Sequence, residues 1–375
     1  MKIAVITYTR TKNYGGILQA YGLYSYLHGT GRDVVFIDYI PERCNVNNLE
    51  AYTESITRLS KIWGRNNLTK KMWQLIRYPS IKSGYKPFLE FLNQRVMFTK
   101  PYYSIEELRD DPPHADVYIT GSDQVWNSSF LPGERVDVPF YLEFVDGKKI
   151  SYASSFGKTY ISEKNVQEVT LYLKQYSHLS VREESGRDII SQLGLLSEVV
   201  VDPTMLCDFS TWDELTSNVL EKNYILLYQI QFSSEIYKMA KKMAKKMGKQ
   251  LLTVSMNPQD KGKIRHGLVM LPSIPEWLSY IKHADYVVTD SFHAGVFSIL
   301  FHKKFMINSG IRKGMSSRIL TLLKMVGLED RELNGFSVEK AIQVLNQEID
   351  WDKAEKLLNK KRELSRAWIE SSIES

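Results

Sequence analysis

The 375 residues, 43% hydrophobic and 25% charged, have the composition of a folded protein and the length of two ordinary domains, which excludes disordered and fibrous classes. The 49 basic and 43 acidic residues leave a net charge of +6 spread along the chain. That excess suits an anionic ligand or a loose peripheral contact with acidic lipid headgroups, and is no nucleic-acid footprint. The two cysteines, Cys44 and Cys207, lack CxxC or zinc spacing, so neither a disulfide framework nor a metal site is expected and a reducing, cytoplasmic setting fits.

The opening MKIAVITYTR has no signal-peptide h-region or cleavage site and reads as a strand, KIAVITY (2–8). No stretch reaches the ~18 apolar residues of a membrane span. After TRTKNYGG, the segment ILQAYGLYSYLHGTG has apolar residues at helical spacing and stops at glycine, and DVVFIDY (33–39) is a second strand. Strand, glycine-bearing loop, helix and strand open a doubly wound sheet. Between Pro41 and Pro113 the pattern weakens into helical, basic and aromatic stretches, a helical insertion over about 45–110. The rhythm resumes with ADVYITG (115–121), KKISYASSFG (148–157), HLSVRE and SEVVVDP, helices lying between. A second series follows: YILLYQI (224–230), KQLLTVS (249–255), GLVML (267–271), DYVVTD (285–290) and KFMIN (304–308). The prediction is an α/β protein of two Rossmann-like domains, 1–210 and 211–350, facing across a cleft, with a helix at 351–375 packing back on the first. Ligands in such sheets bind beyond the C-terminal ends of strands, so the strand-end loops carry the candidates.

In the first of these, KNYGGILQA, Asn13, Tyr14, Gly15 and Gly16 open a helix whose N–H groups can hold an anion or a sugar hydroxyl; a plain tight turn explains the glycines as well. No GxGxxG or GxxxxGK[ST] supports a dinucleotide or P-loop site. The loop ITGSDQVWNSSF gathers Ser122, Asp123, Gln124, Trp126 and Asn127, polar groups and one aromatic face that suit a polyhydroxylated acceptor, unless Ser122 or Asp123 caps a turn and Trp126 is core. Arg182, in HLSVREESG, can fork onto a carboxylate or phosphate, or pair with Glu183 and Glu184. Asp202, in VVVDPTML, reads as a turn residue closing the first domain.

The methionines of KMAKKMAKKMGK form a core-facing stripe, and the DxD at Asp350 and Asp352 stands where a helix cap explains it better than a metal. In YVVTDSFHAGVFS, Asp290, Ser291 and His293 end a strand and start a helix. A lone histidine is more often structural than catalytic. This position, with an adjacent Ser and Asp and N–H groups that favour an anion, makes Asp290 and His293 the acid–base candidates. Downstream Arg312, Lys313 and Arg318 can, with Arg182, neutralise a small polyanion, or be solvated cations.

Taken in order, NYGGILQAY, GSDQVWN, SVREESG, DPTML, PEWLSYIKHADYVVTDSFHAGVFS and SRILTLL resemble the polysaccharide pyruvyl transferase family. The resemblance implies a GT-B-like fold and transfer of pyruvate from phosphoenolpyruvate, a co-substrate rather than a cofactor, onto two hydroxyls of a sugar. The acceptor is a polysaccharide or lipid-linked precursor at the inner face of the cell membrane, and the products are a cyclic ketal and phosphate. It ties the donor to His293, Ser291, Arg182 and Arg318, with the second domain as the donor side, Arg182 reaching across the cleft from the first, and the acceptor left to the N-terminal loops. The chain departs from the pattern at Ala294, where glycine commonly follows the histidine; glycine permits a positive φ that alanine tolerates poorly, and Gly295 offers that freedom one place later. Two other readings suit the same fold: a nucleotide-sugar glycosyltransferase and a catalytically silent glycan-binding protein. The acceptor sugar and the oligomeric state are not encoded in any motif.

Overall fold

The computed structural model describes residues 1–375 except 59, 219–220, 265, 311–315 and 334, and except the side chains of 258, 259 and 316. The chain forms two compact units, Met1–Phe156 with Ile161–Ser180, and Gly157–Tyr160 with Val181–Ser375.

The first unit is built on β1 (Lys2–Ile6), β2 (Asp33–Tyr39), β3 (Phe98–Tyr102), β4 (Val117–Thr120) and β5 (Lys148–Ser151). They form one parallel sheet in the order β3-β2-β1-β4-β5. In the register, Ile3 faces Val34 on one side and Val117 on the other. Ile3 to Ile6 are wholly buried, as a central parallel strand covered on both faces requires. The helices are α1 (Tyr14–Gly29), α2 (Leu49–Thr57), α3 (Asn67–Ile76), α4 (Tyr78–Asn93), α5 (Ile105–Asp110) and α6 (Glu163–Leu173). Helices α2 to α4 are the insertion expected between β2 and the rest, and Tyr52, Trp73 and Val46 give it a small core of its own. The sequence reading overlooked β3 inside that insertion: its FTKPY has only weak alternation, and Pro101 is tolerated because β3 is an edge strand.

Short strands β6 (Ser180–Val181) and β7 (Glu198–Val199) pair with each other, with α7 (Glu184–Gln192) between them in sequence. The second unit then repeats the first design. After α8 (Phe209–Asp213), strands β8 (Tyr224–Tyr228), β9 (Gln250–Ser255), β10 (Leu268–Met270), β11 (Tyr286–Thr289) and β12 (Lys304–Ile307) form a parallel sheet in the order β10-β9-β8-β11-β12. Its helices are α9 (Ser234–Lys246), α10 (Ile274–His283), α11 (Phe292–Leu300), α12 (Ser316–Val326), α13 (Val338–Asn346) and α14 (Trp351–Glu374). Met243 is buried, and Met239 and Met247 pack on the same core of β8, β11, β12 and α13, so the methionine stripe faces inward. A Ser273–Glu276 capping box starts α10, and Asp350 caps α14 by accepting from Lys353 N at 3.0 Å.

Two expectations about domains meet a different division. Residues 181–210, read as the end of the first domain, group with the second unit, as does the C-terminal helix. The reason is local bonding. Arg182 pairs with Asp202, Val201 N donates to Ser365 Oγ, and Arg362 donates to Met205 O, so this segment is tied to α14.

Candidate functional site

Strand order reverses between β8 and β11, the place where open α/β sheets bind ligands. The chain leaves β11 through a fixed set of bonds. Thr289 Oγ1 donates to Tyr228 O at 2.7 Å and accepts from Ser291 N at 3.0 Å, and Asp290 Oδ1 accepts from Ile230 N at 2.7 Å. Ser291 is the N-cap of α11, its Oγ accepting from Ala294 N at 3.3 Å. Thus Asp290 and Ser291, read as catalytic and donor-binding, spend these groups on holding the β11–α11 turn. Ala294 is helical and is not among the residues of positive φ, so its backbone takes no conformation that alanine resists. Gly295 serves close approach instead: a β-carbon on it would stand 2.7 Å from Ile307 Cδ1 of β12.

His293, in the first turn of α11, is buried, with Nε2 3.5 Å from Asp202 Oδ2. Asp202 is 0% exposed. Its Oδ2 accepts from Arg182 Nη1 at 2.7 Å, and its Oδ1 accepts from Thr204 N at 3.0 Å and Thr204 Oγ1 at 2.7 Å. Arg182, 4% exposed, also has Nε 3.8 Å from buried Glu183 Oε2, and its guanidinium carbon lies 4.8 Å from the centre of the Phe292 ring. Phe292 meets His293 edge to face at 5.1 Å. Arg182, Asp202 and His293 therefore form one buried row. Burial alone would raise the Asp202 carboxyl; His293 and then Arg182 outweigh it and hold the group well below the usual carboxylate range. An ionised Asp202 can fix both the guanidinium and the orientation of the imidazole.

Arg182, Asp202 and Phe292 also line a cavity of about 340 Å³, together with Arg318 from α12 and Lys361 from α14. Arg318 is buried like Arg182. Apolar side chains such as Val201, Leu322 and Leu357 complete the walls. Arg187 and Lys324 bring the cations to five, Arg182, Arg187, Arg318, Lys324 and Lys361, against the carboxylates Glu184 and Asp202, so the cavity suits an anion. Arg182 and Arg318, His293 and Ser291 thus gather in one unit, rather than Arg182 standing opposite in the other domain. Arg312 and Lys313 lie outside the described residues. The sequence reading missed Asp202 as a site residue because its local context, a strand followed by proline, is that of any turn; only its distant partners mark it.

In the first unit the order reverses between β1 and β4. Here the N–H groups of Gly15 and Gly16, offered as anion or hydroxyl donors, are taken by their own N-cap: Asn13 Oδ1 accepts from them at 2.9 and 3.3 Å. Tyr14 is buried against Phe88. Gly16 permits contact between the two loops, since a β-carbon there would lie 2.9 Å from Thr11 Cγ2 and 3.4 Å from Asp123 Oδ2. Trp126 is core and offers no face to a sugar: it is 3% exposed, donates Nε1 to Phe140 O at 3.2 Å, and packs against Tyr141 and Phe156. Ser122 is fully buried, and Asn127 bonds Gln124 and Ser129.

Asp123 and Gln124 keep partial exposure. Asp123 holds φ at 74°, in the left-handed region, with Oδ1 accepting from Gln124 N at 2.9 Å and its carbonyl accepting from Ser155 N at 3.0 Å. Ala153, after β5, is also left-handed at φ 53°. Burial lowers the Lys12 amine in the β1–α1 loop, a residue the sequence reading passed over.

Among the described residues no cluster of three or more His, Cys, Asp or Glu side chains could hold a metal, and no helix is long and apolar enough to cross a membrane. No curated protein matches the chain in sequence. By structure it is similar to UDP-N-acetylglucosamine 2-epimerase from Rickettsia bellii, with a TM-score of 0.51 and 12% identity over 100% of this chain and 96% of that one. The Neisseria meningitidis UDP-GlcNAc 2-epimerase gives a TM-score of 0.49 at 11% identity, over 99% of each chain. MurG of Acinetobacter baumannii gives 0.42 at 11%, over 96% of this chain and 94% of that one. At such identity the first of these likenesses is one of fold, the two-domain α/β, GT-B-like class. The sequence model of polysaccharide pyruvyl transferases matches residues 13–307, a span that holds the β8–β11 reversal point and the Arg182–Asp202–His293 row, and the chain belongs to that transferase family.

Proposed function

We propose that the protein moves pyruvate from phosphoenolpyruvate onto two hydroxyls of one sugar in a polysaccharide or lipid-linked precursor, forming a cyclic ketal and releasing phosphate. The observation that carries the reading is the buried Arg182–Asp202–His293 row, whose arginine and aspartate open with Arg318 onto a cation-rich cavity. Phosphoenolpyruvate brings a carboxylate and a phosphate, which Arg182 and Arg318 offset with charge-assisted hydrogen bonds. Protonated His293 delivers a proton to the methylene carbon, which becomes the methyl group and leaves C2 electrophilic. One sugar hydroxyl adds to C2 and passes its proton to the now neutral imidazole. Phosphate departs, and the second hydroxyl closes the ring, its proton leaving with the phosphate. Asp202 stays ionised throughout and keeps the imidazole in register.

On the acceptor side, the partly exposed Asp123 and Gln124 are the groups of the original set best placed to meet hydroxyls. Work on a lipid-linked glycan would set the protein at the cytoplasmic face of the membrane. The test is to incubate the protein with phosphoenolpyruvate and candidate glycans, following phosphate release and a product heavier by one pyruvate less one water. His293→Ala lowers both signals by about 10²–10⁴-fold in this reading. Phosphate release at the wild-type rate from a folded His293→Ala protein would end the assignment of His293.

A further inference from the structure

The family match ends at residue 307, and α14 lies wholly beyond it. Yet α14 grips the segment that carries the site's carboxylate. Ser365 Oγ accepts from Val201 N at 3.0 Å, one residue before Asp202, and itself donates to Lys361 O at 2.8 Å. Arg362 Nε donates to Met205 O at 2.6 Å. Arg366 donates to Leu206 O, from Nε at 3.0 Å and from Nη2, and pairs with Asp208 at 3.0 Å. Three side chains spaced 3 and 1 residues apart on one helix thus bond backbone groups of residues 201, 205 and 206, on either side of Asp202.

We propose that Ser365, Arg362 and Arg366 are positioning residues: the C-terminal helix sets where Asp202 stands, and through it the Arg182 guanidinium and the His293 ring. The physical basis is that Asp202 stands three residues beyond β7, as the N-cap of a single 3₁₀ turn, Pro203–Met205, an element too short to fix its own place without outside contacts. The next carbonyls, of Met205 and Leu206, are held from outside by guanidinium groups, a stronger contact than neutral hydrogen bonding. Val201 N is buried and donates to Ser365 Oγ of α14, so the helix satisfies a buried backbone group beside Asp202. Leu357 and Lys361 of the same helix line the cavity, so a displaced α14 alters its wall as well.

The catalytic consequence rests on the pyruvyl-transfer reading, whereas the mechanical one does not, and the experiment separates them. Backbone hydrogen exchange is followed by mass spectrometry in wild type, Ser365→Ala, Arg362→Gln/Arg366→Gln and the conservative Arg362→Lys. Exchange over 199–208 rises in the first two variants and not in Arg362→Lys, while exchange over 286–300 stays as in wild type. In parallel, kcat for phosphate release falls about fivefold in Ser365→Ala and tenfold or more in the double variant, with KM for phosphoenolpyruvate little changed and Arg362→Lys largely restoring the rate. Unchanged exchange over 199–208 in folded variants overturns the clamp. Raised exchange with wild-type kcat overturns the positioning role. A wild-type protein that transfers no pyruvyl group defeats the functional reading, and the exchange result alone then decides the clamp.

Discussion

The two sheets share one strand order, and each reverses at its first strand, β1 beside β4 and β8 beside β11, yet the reversal points are finished in opposite ways. In the second unit the loops bury ionised groups, Arg182 against Asp202 and Asp202 against His293. In the first, Asn13 caps α1, Asn127 caps a turn and Asp123 holds its own left-handed backbone, while the ion pair of the β1–α1 loop, Arg10 with Asp38 of β2, keeps partial exposure at the arginine. The second site depends on fully buried charge and the first more on chain shape. The fold supplies the position in both cases, and the residues decide what chemistry occupies it.

Neutralising the same residue type at the two points exposes this contrast most sharply. Asp202→Asn leaves the Arg182 guanidinium buried without its closest carboxylate, and breaking a buried pair in this way costs about 3–5 kcal/mol. Denaturant unfolding is expected to show that loss, with phosphate release lost too. A cost below about 1 kcal/mol would mean that Glu183, 3.8 Å away, carries the compensation instead. The next effect is on rate alone. On the proposed mechanism His293→Ala removes the acid–base group at a helix start already capped by Ser291, so the fold should persist while turnover falls about 10²–10⁴-fold. Stability against pH gives a smaller signal of known sign. The folded Asp202 carboxyl lies below its unfolded value of about 3.9, so its stabilisation is complete above that pH and drains away as pH falls through the window beneath it. Asp202→Asn should show a shallower loss of unfolding midpoint on acidification than wild type; parallel acid limbs would refute the ionised row.

The sequence shows the contrast only in part, for physical reasons. Buried parallel strands are apolar runs, so β1, β2, β8, β9, β11 and β12 could be read to within two residues, whereas β3, a half-exposed edge strand carrying Pro101, could not. His293 was legible because strand-end and helix-start are local patterns. Asp202 was not, since its meaning lies in Arg182, 20 residues away, and in a histidine on another element. Trp126 shows the converse error of composition: an aromatic in a polar loop suggests a sugar platform, but its ring is core and its N–H is already given to Phe140 O. The segment after 180 joins the second unit through side-chain bonds to α14, which no hydropathy pattern encodes.

The smallest effects belong to Asp123, where shape rather than charge is at stake. A left-handed backbone costs an ordinary L-residue about 1–2 kcal/mol, and Asp or Asn reduces that cost with a local side-chain hydrogen bond, here Oδ1 from Gln124 N at 2.9 Å. Asp123→Asn keeps both the bond and the conformational tolerance, so stability should stay within about 0.5 kcal/mol of wild type. Asp123→Gly frees φ but loses the bond, and Asp123→Ala loses both, by about 1–2 kcal/mol. The expected order of unfolding midpoints is therefore wild type and Asn together, then Gly, then Ala. If Ala matched Gly, the positive φ would not be what position 123 requires. If Asn fell as far as Asp202→Asn does, the first reversal point would depend on charge after all, and the division of chemistry between the two sheets would collapse.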